Sequence, residues 1–75
     1  MADRIPSMRS DRVISALLAC GLVSKRQTGS HLILTKPGLR RPVPIPRHDR
    51  ELTPAFIADL LRQAEVDRDE FLRHV

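Results

Sequence analysis

Gly29-Ser30-His31 sets an imidazole after a small polar turn and at the head of an apolar run, Leu32-Ile33-Leu34. Metal binding, acid–base catalysis and plain structural packing would each explain a histidine there. Metal binding needs three or four converging ligands. The chain offers His31, His48 and His74, spaced 17 and 26 residues apart, and a single cysteine, Cys20. No pair has metal-ligand spacing, so no metal is expected. The three glycines stand at turns or helix ends and form no phosphate-cradling loop, so no cofactor is expected either. Proton transfer remains open. Imidazole is the side chain whose ordinary titration falls near neutral pH, and it can move a proton to or from a ribose 2′-hydroxyl. A surface histidine with no chemistry fits the same pattern.

Charge separates these readings. Residues 25–50 hold Lys25, Arg26, Lys36, Arg40, Arg41, Arg47 and Arg50 against Asp49 alone, while the rest of the chain holds six basic and eight acidic residues. Positive charge gathered on the middle third is the footprint of a polyanion binder. A solvated basic face is the plainer alternative. Cys20 sits among Ala16-Leu17-Leu18-Ala19 and reads as a small buried residue of a reducing compartment. No apolar run approaches the roughly 20 residues of a membrane span, and residues 1–9 lack the apolar stretch of a signal peptide. The cytoplasm is the expected location.

The elements that position His31 follow from local pattern. Seventy-five residues make one small domain with a thin core, since such a chain buries only about 60% of its unfolded surface. Residues 1–9 show no periodicity and read as a flexible tail, leaving 10–75 as the domain. Ser10 stands as an N-cap before Val13, Ile14, Leu17 and Leu18, one helical stripe ending at Gly21. Residues 22–27 read as a strand, 28–30 as a turn and 31–35 as a second strand. Lys36-Pro37-Gly38-Leu39 is a strong turn signal. In a third strand at 40–45, Pro42, Pro44 and Pro46 share one parity, so one strand edge lacks their donors. That suits an edge strand. Thr53-Pro54 opens a second helix with the stripe Phe56, Ile57, Leu60, Leu61 and Ala64. After a break near Glu65-Val66, Asp67-Arg68-Asp69-Glu70 opens a short last helix. The fold class is α+β, in the order α-β-β-β-α. It is a three-stranded antiparallel meander with both helices on one face.

Alternation along 31–35 puts Leu32 and Leu34 on one face and His31, Ile33 and Thr35 on the other. With the leucines inward, His31 stands on the open face beside the basic window. His48 is a possible secondary residue, as the partner of an acid–base pair. If the hairpin turns at 37–38, paired residue numbers sum to about 75 and His31 lies opposite Pro44. His48 is then about 13 Å further along at ~3.3 Å per residue. His74 has no expected role.

Four ordered blocks carry a resemblance: Arg26-Gln27-Thr28-Gly29-Ser30-His31, Pro46-Arg47-His48, Leu52-Thr53-Pro54 and Leu60-Leu61-Arg62-Gln63-Ala64. Together they resemble the HicA toxin family, whose signature runs RQ-x-GSH, VP-x-H, L-x-x-GTL-x-x-IL-x-QAG. The match covers about residues 10–72. It implies a double-stranded-RNA-binding-domain-like fold and an mRNA interferase, an endoribonuclease that arrests growth. It also implies a HicB-like antitoxin partner that covers the active histidine, which is His31 here. Leu32 stands where the family often has a second histidine, Ala55-Phe56-Ile57 replaces GTL, and Glu65 replaces the last glycine. Pro42 and Pro44 are additional.

The expected mechanism is metal-independent cleavage of mRNA with His31 as the catalytic residue. Gly29 would supply the tight turn, and Ser30 would orient the histidine or a phosphate. Lys25, Arg26, Arg40, Arg41 and Arg47 complete the expected RNA contacts. Two rivals use the same basic window: a non-catalytic double-stranded-RNA reader, and an inactive family member that still binds its antitoxin.

Overall fold

The computed structural model describes residues 4–47 and 50–75. In chain order it contains β1 (Met8–Arg9), α1 (Ser10–Ala19), β2 (Val23–Thr28), β3 (His31–Thr35), β4 (Val43–Pro46), β5 (Glu51–Leu52), α2 (Pro54–Ala64) and α3 (Arg68–Leu72). β2, β3 and β4 form an antiparallel sheet in that order, so the α+β meander is as expected and the proline-rich strand lies at an edge. Residues 8 and 9, expected in the tail, instead pair with Glu51 and Leu52, and Met8 is buried. Two-residue strands carry no alternation that a sequence pattern could reveal.

Each helix has a local cause. Ser10, expected as the N-cap, is the first helical residue of α1 and is buried; Arg9 occupies the cap position. α1 ends as expected at Gly21, whose φ of +105° is open to glycine, and Leu22 N–H returns to Leu17 O at 3.2 Å. Thr53 Oγ1 accepts from Phe56 N–H at 3.2 Å, and Pro54 follows it as the first residue of α2. α2 stops at Glu65, which is left-handed at φ 56°, ψ 45°. That conformation costs a non-glycine residue roughly 1–2 kcal/mol. Asp67 caps α3 by accepting from Asp69 N–H at 3.2 Å. Among the described residues, no helix is long and apolar enough to cross a membrane.

α1 and α2 both lie against β4, and α3 touches α1 and α2. Val13, Ala16 and Leu17 of α1 meet Leu34, Val43 and Ile45 of the sheet and Ile57, Leu60 and Ala64 of α2 in one core, with Phe71 of α3 fully buried among them. Phe56, placed in the α2 stripe by spacing, is instead 40% exposed. Cys20, expected to be buried, is only partly so.

The register of β3 and β4 corrects the sequence reading. His31 pairs with Pro46, Leu32 with Ile45, Ile33 with Pro44 and Leu34 with Val43. The turn itself forms as expected, with Leu39 N–H donating to Lys36 O at 3.1 Å and Gly38 at φ +85°. Residues 40–42 then lie outside any strand, and β4 begins at Val43 rather than at Arg40. Two extra residues on the β4 side move the partner of His31 from Pro44 to Pro46.

Candidate active site

β2 and β3 pair through Thr28 and His31, which leaves Gly29 and Ser30 as a two-residue turn. Gly29 lies outside the left-handed region, and a Cβ built there would meet nothing within 4 Å. Gly29 stands in the tight turn as expected, though the turn does not demand a left-handed residue there. The small residue leaves the backbone of the turn open to approach.

His31 is partly exposed. Leu34 is fully buried and Leu32 packs against the core, so the leucines face inward and His31 stands on the open face. Residues directly opposite on paired strands share a face. Thr28 and Pro46 therefore flank His31, and Arg26, opposite Ile33, stands on the same face. Ser30 Oγ lies 3.0 Å from His31 Nδ1. When Nδ1–H donates to that hydroxyl, Nε2 carries no proton and is free to accept one, the tautomer a general base requires.

Arg47 braces the same end of the sheet. Its backbone N–H donates to Ser30 O at 2.7 Å, and its Nη1 donates to Gln27 Oε1 at 3.0 Å. One of five guanidinium donors is thereby engaged. The sequence reading gives Gln27 no role; with the register two residues off, Arg47 does not fall beside it. The register passes from Ser24–Leu34 to Arg26–Ile33, so Lys25 is the extra residue of a β-bulge, exposed on β2. Bulges re-aim side chains at sheet edges.

Other expected residues lie elsewhere. Arg40 and Arg41 are exposed in the connection between β3 and β4, at the opposite end of β3 from His31. The four-residue separation along β3 amounts to ~13 Å, so they are not brought together with the histidine. His48 lies outside the described residues. Lys36 Nζ donates to Glu65 O at 3.0 Å and serves the end of α2. Burial, with a smaller contribution from Glu70, pushes the Cys20 thiol above its ordinary value, which disfavours a nucleophilic thiolate. Among the described residues no group of three His, Cys, Asp or Glu side chains could hold a metal. A groove of about 560 Å³ beside β1 and α1 includes none of the expected site residues.

The described geometry thus puts an accessible imidazole, a hydroxyl partner and a braced arginine at one hairpin end. A family model described as the HicA toxin of bacterial toxin–antitoxin systems matches residues 10–66. The chain belongs to the HicA toxin family. No curated protein matches it significantly. Membership makes the chain the toxin of a toxin–antitoxin pair, with an antitoxin as its partner. The matched segment runs from the start of α1 to just past α2 and includes the whole three-stranded sheet.

Proposed function

We propose that this HicA-family chain is a metal-independent endoribonuclease that cleaves mRNA with His31 as its catalytic base, in the cytoplasm where its substrate is found. The observation that carries the reading is the 3.0 Å contact between Ser30 Oγ and His31 Nδ1 on an exposed turn. With Nδ1–H held by the hydroxyl, Nε2 takes the proton of a ribose 2′-hydroxyl. The 2′ oxygen bonds to the adjacent phosphorus, the bond from phosphorus to the 5′ oxygen breaks, and the proton reaches that leaving oxygen from the imidazolium through water. The products are a 2′,3′-cyclic phosphate and a 5′-hydroxyl. Arg47, Arg26 and Lys25 supply cations for the phosphates around the scissile bond, and Arg40 and Arg41 meet a phosphate further along the strand. The open backbone at Gly29 lets a phosphate approach the turn. A HicB-like antitoxin silences the toxin by covering the His31 face.

His31→Ala tests the reading. Purified variant and parent are compared for RNA cleavage, RNA affinity and thermal melting, and for growth arrest on induced expression. Cleavage falls by roughly 10²–10⁴-fold, the share a single acid–base group supplies, and growth arrest is lost. Affinity and melting temperature stay, because His31 packs into no core. Undiminished cleavage or killing by the variant refutes the role of His31; a parent that binds RNA without cutting it is the non-catalytic reader.

A further inference from the structure

Phe56 is one of two aromatic residues in the chain and the one left 40% exposed. It stands at the start of α2, at the threonine position of the GTL signature block. It lines a groove of about 270 Å³ together with Pro46, Glu51, Leu52 and Thr53. Pro46 is also the cross-strand partner of His31. The groove therefore begins one strand away from the candidate base, a backbone spacing of ~4.8 Å.

We propose that this groove is a nucleobase subsite, in which an unpaired base of the RNA stacks on Phe56 while the phosphate next to it lies over His31. The inference rests on the reading of the chain as a ribonuclease and adds the class of RNA it takes. The groove falls below the ~300 Å³ at which drug-sized pockets begin, which suits a single base. Thr53, Leu52, Pro46 and the Phe56 ring give it apolar walls, and every base offers a π face to such a ring. Among the described residues Glu51 is the one charged residue in the lining. Its carboxylate repels phosphate and accepts from base N–H groups, so it turns the base into the groove and the backbone toward His31 and Arg47. A base held in a duplex stacks on its own neighbours and cannot occupy the groove, so the preferred substrate is single-stranded.

The chain has no Trp and no Tyr, so Phe56→Trp introduces a sole reporter at the site. In the His31→Ala background, this variant is titrated with a single-stranded oligoribonucleotide, the same oligonucleotide made abasic, and a duplex. Anisotropy of end-labelled RNA measures binding in parallel. The indole emission is expected to be quenched by the single strand and unaffected by the abasic strand or the duplex. RNA that binds without quenching overturns this inference alone. Failure of every RNA to bind overturns the ribonuclease reading with it. Phe56→Ala in the same background is expected to weaken single-strand binding by roughly 5- to 150-fold, the range of one base–aromatic stack, and to leave abasic binding unchanged. Equal losses on both strands mark a structural role and overturn the proposal. Unchanged RNA affinity with weakened antitoxin binding assigns the groove to a protein and also overturns it.

Discussion

At one end of the sheet β2 and β3 are joined by two residues, Gly29 and Ser30; at the other, β3 and β4 are joined by residues 36–42. The short end spends its polar groups on one another: Ser30 on His31, Arg47 on Ser30 and Gln27. The long end turns outward to the helices, with Lys36 bound to the last turn of α2. Both ends are basic, and the sequence alone treats their cations as one window. The difference teaches that a cation's job depends on what lies beyond it. Lys36 donates to the carbonyl of Glu65, the residue that ends α2, and serves the fold; Arg47 donates to the turn that carries the imidazole and, in the proposed reading, also meets phosphate.

Three substitutions probe that division, after the larger effect expected for His31→Ala. Arg47→Ala removes the side-chain bond to Gln27 and a candidate phosphate cation from the short end, and keeps the backbone bond to Ser30. We expect kcat/KM on RNA to fall about tenfold, equivalent to ~1.4 kcal/mol, with the melting temperature nearly unchanged. A large loss of thermal stability would make Arg47 as structural as Lys36 and erase the contrast. Glu65→Gly relieves the left-handed strain at the far end. It should stabilise the fold by about 1 kcal/mol, raising the melting midpoint by roughly 4–8 °C for a domain of this size, with cleavage unaltered. No gain would mean that the greater unfolded-chain entropy of glycine offsets the relieved strain. Lys36→Met is the smallest change. It removes a cation at a helix C-terminus, worth about 0.5 kcal/mol, and should leave the salt dependence of RNA binding as it was. A lower salt slope would show that Lys36 also touches phosphate.

What the sequence disclosed was local chemistry. Lys36-Pro37-Gly38-Leu39, Thr53-Pro54 and the prolines near Val43 each act within a few residues; the structure agrees with the turn, the cap and the edge position of the proline strand, although Pro42 lies outside it. The inward leucines of β3 also followed, because strand alternation fixes a face once one member is buried. Long-range register did not follow. A turn signal says where a chain reverses and not how many residues it uses before pairing resumes, so the expected partner of His31 is Pro44 and the observed one is Pro46. Phe56 departs from the expected stripe for a related reason. Helical spacing gives a stripe its width, but only the facing sheet decides where the stripe stops, and here it stops at Ile57. The pairing of Met8 with Leu52 joins segments far apart in sequence through two residues each, too few for any periodicity.

α3 spans only Arg68–Leu72, yet its Phe71 is wholly enclosed between α1 and α2. A helix of five residues has no persistence of its own in water, so it is either docked or melted, with no intermediate worth populating. Release of the segment would expose Phe71 and the parts of α1 and α2 that it covers in a single event. Amide exchange at the residues it covers would measure the free energy of that opening. Where reclosing outpaces cleavage, protease attack on the chain would follow the population of that open state.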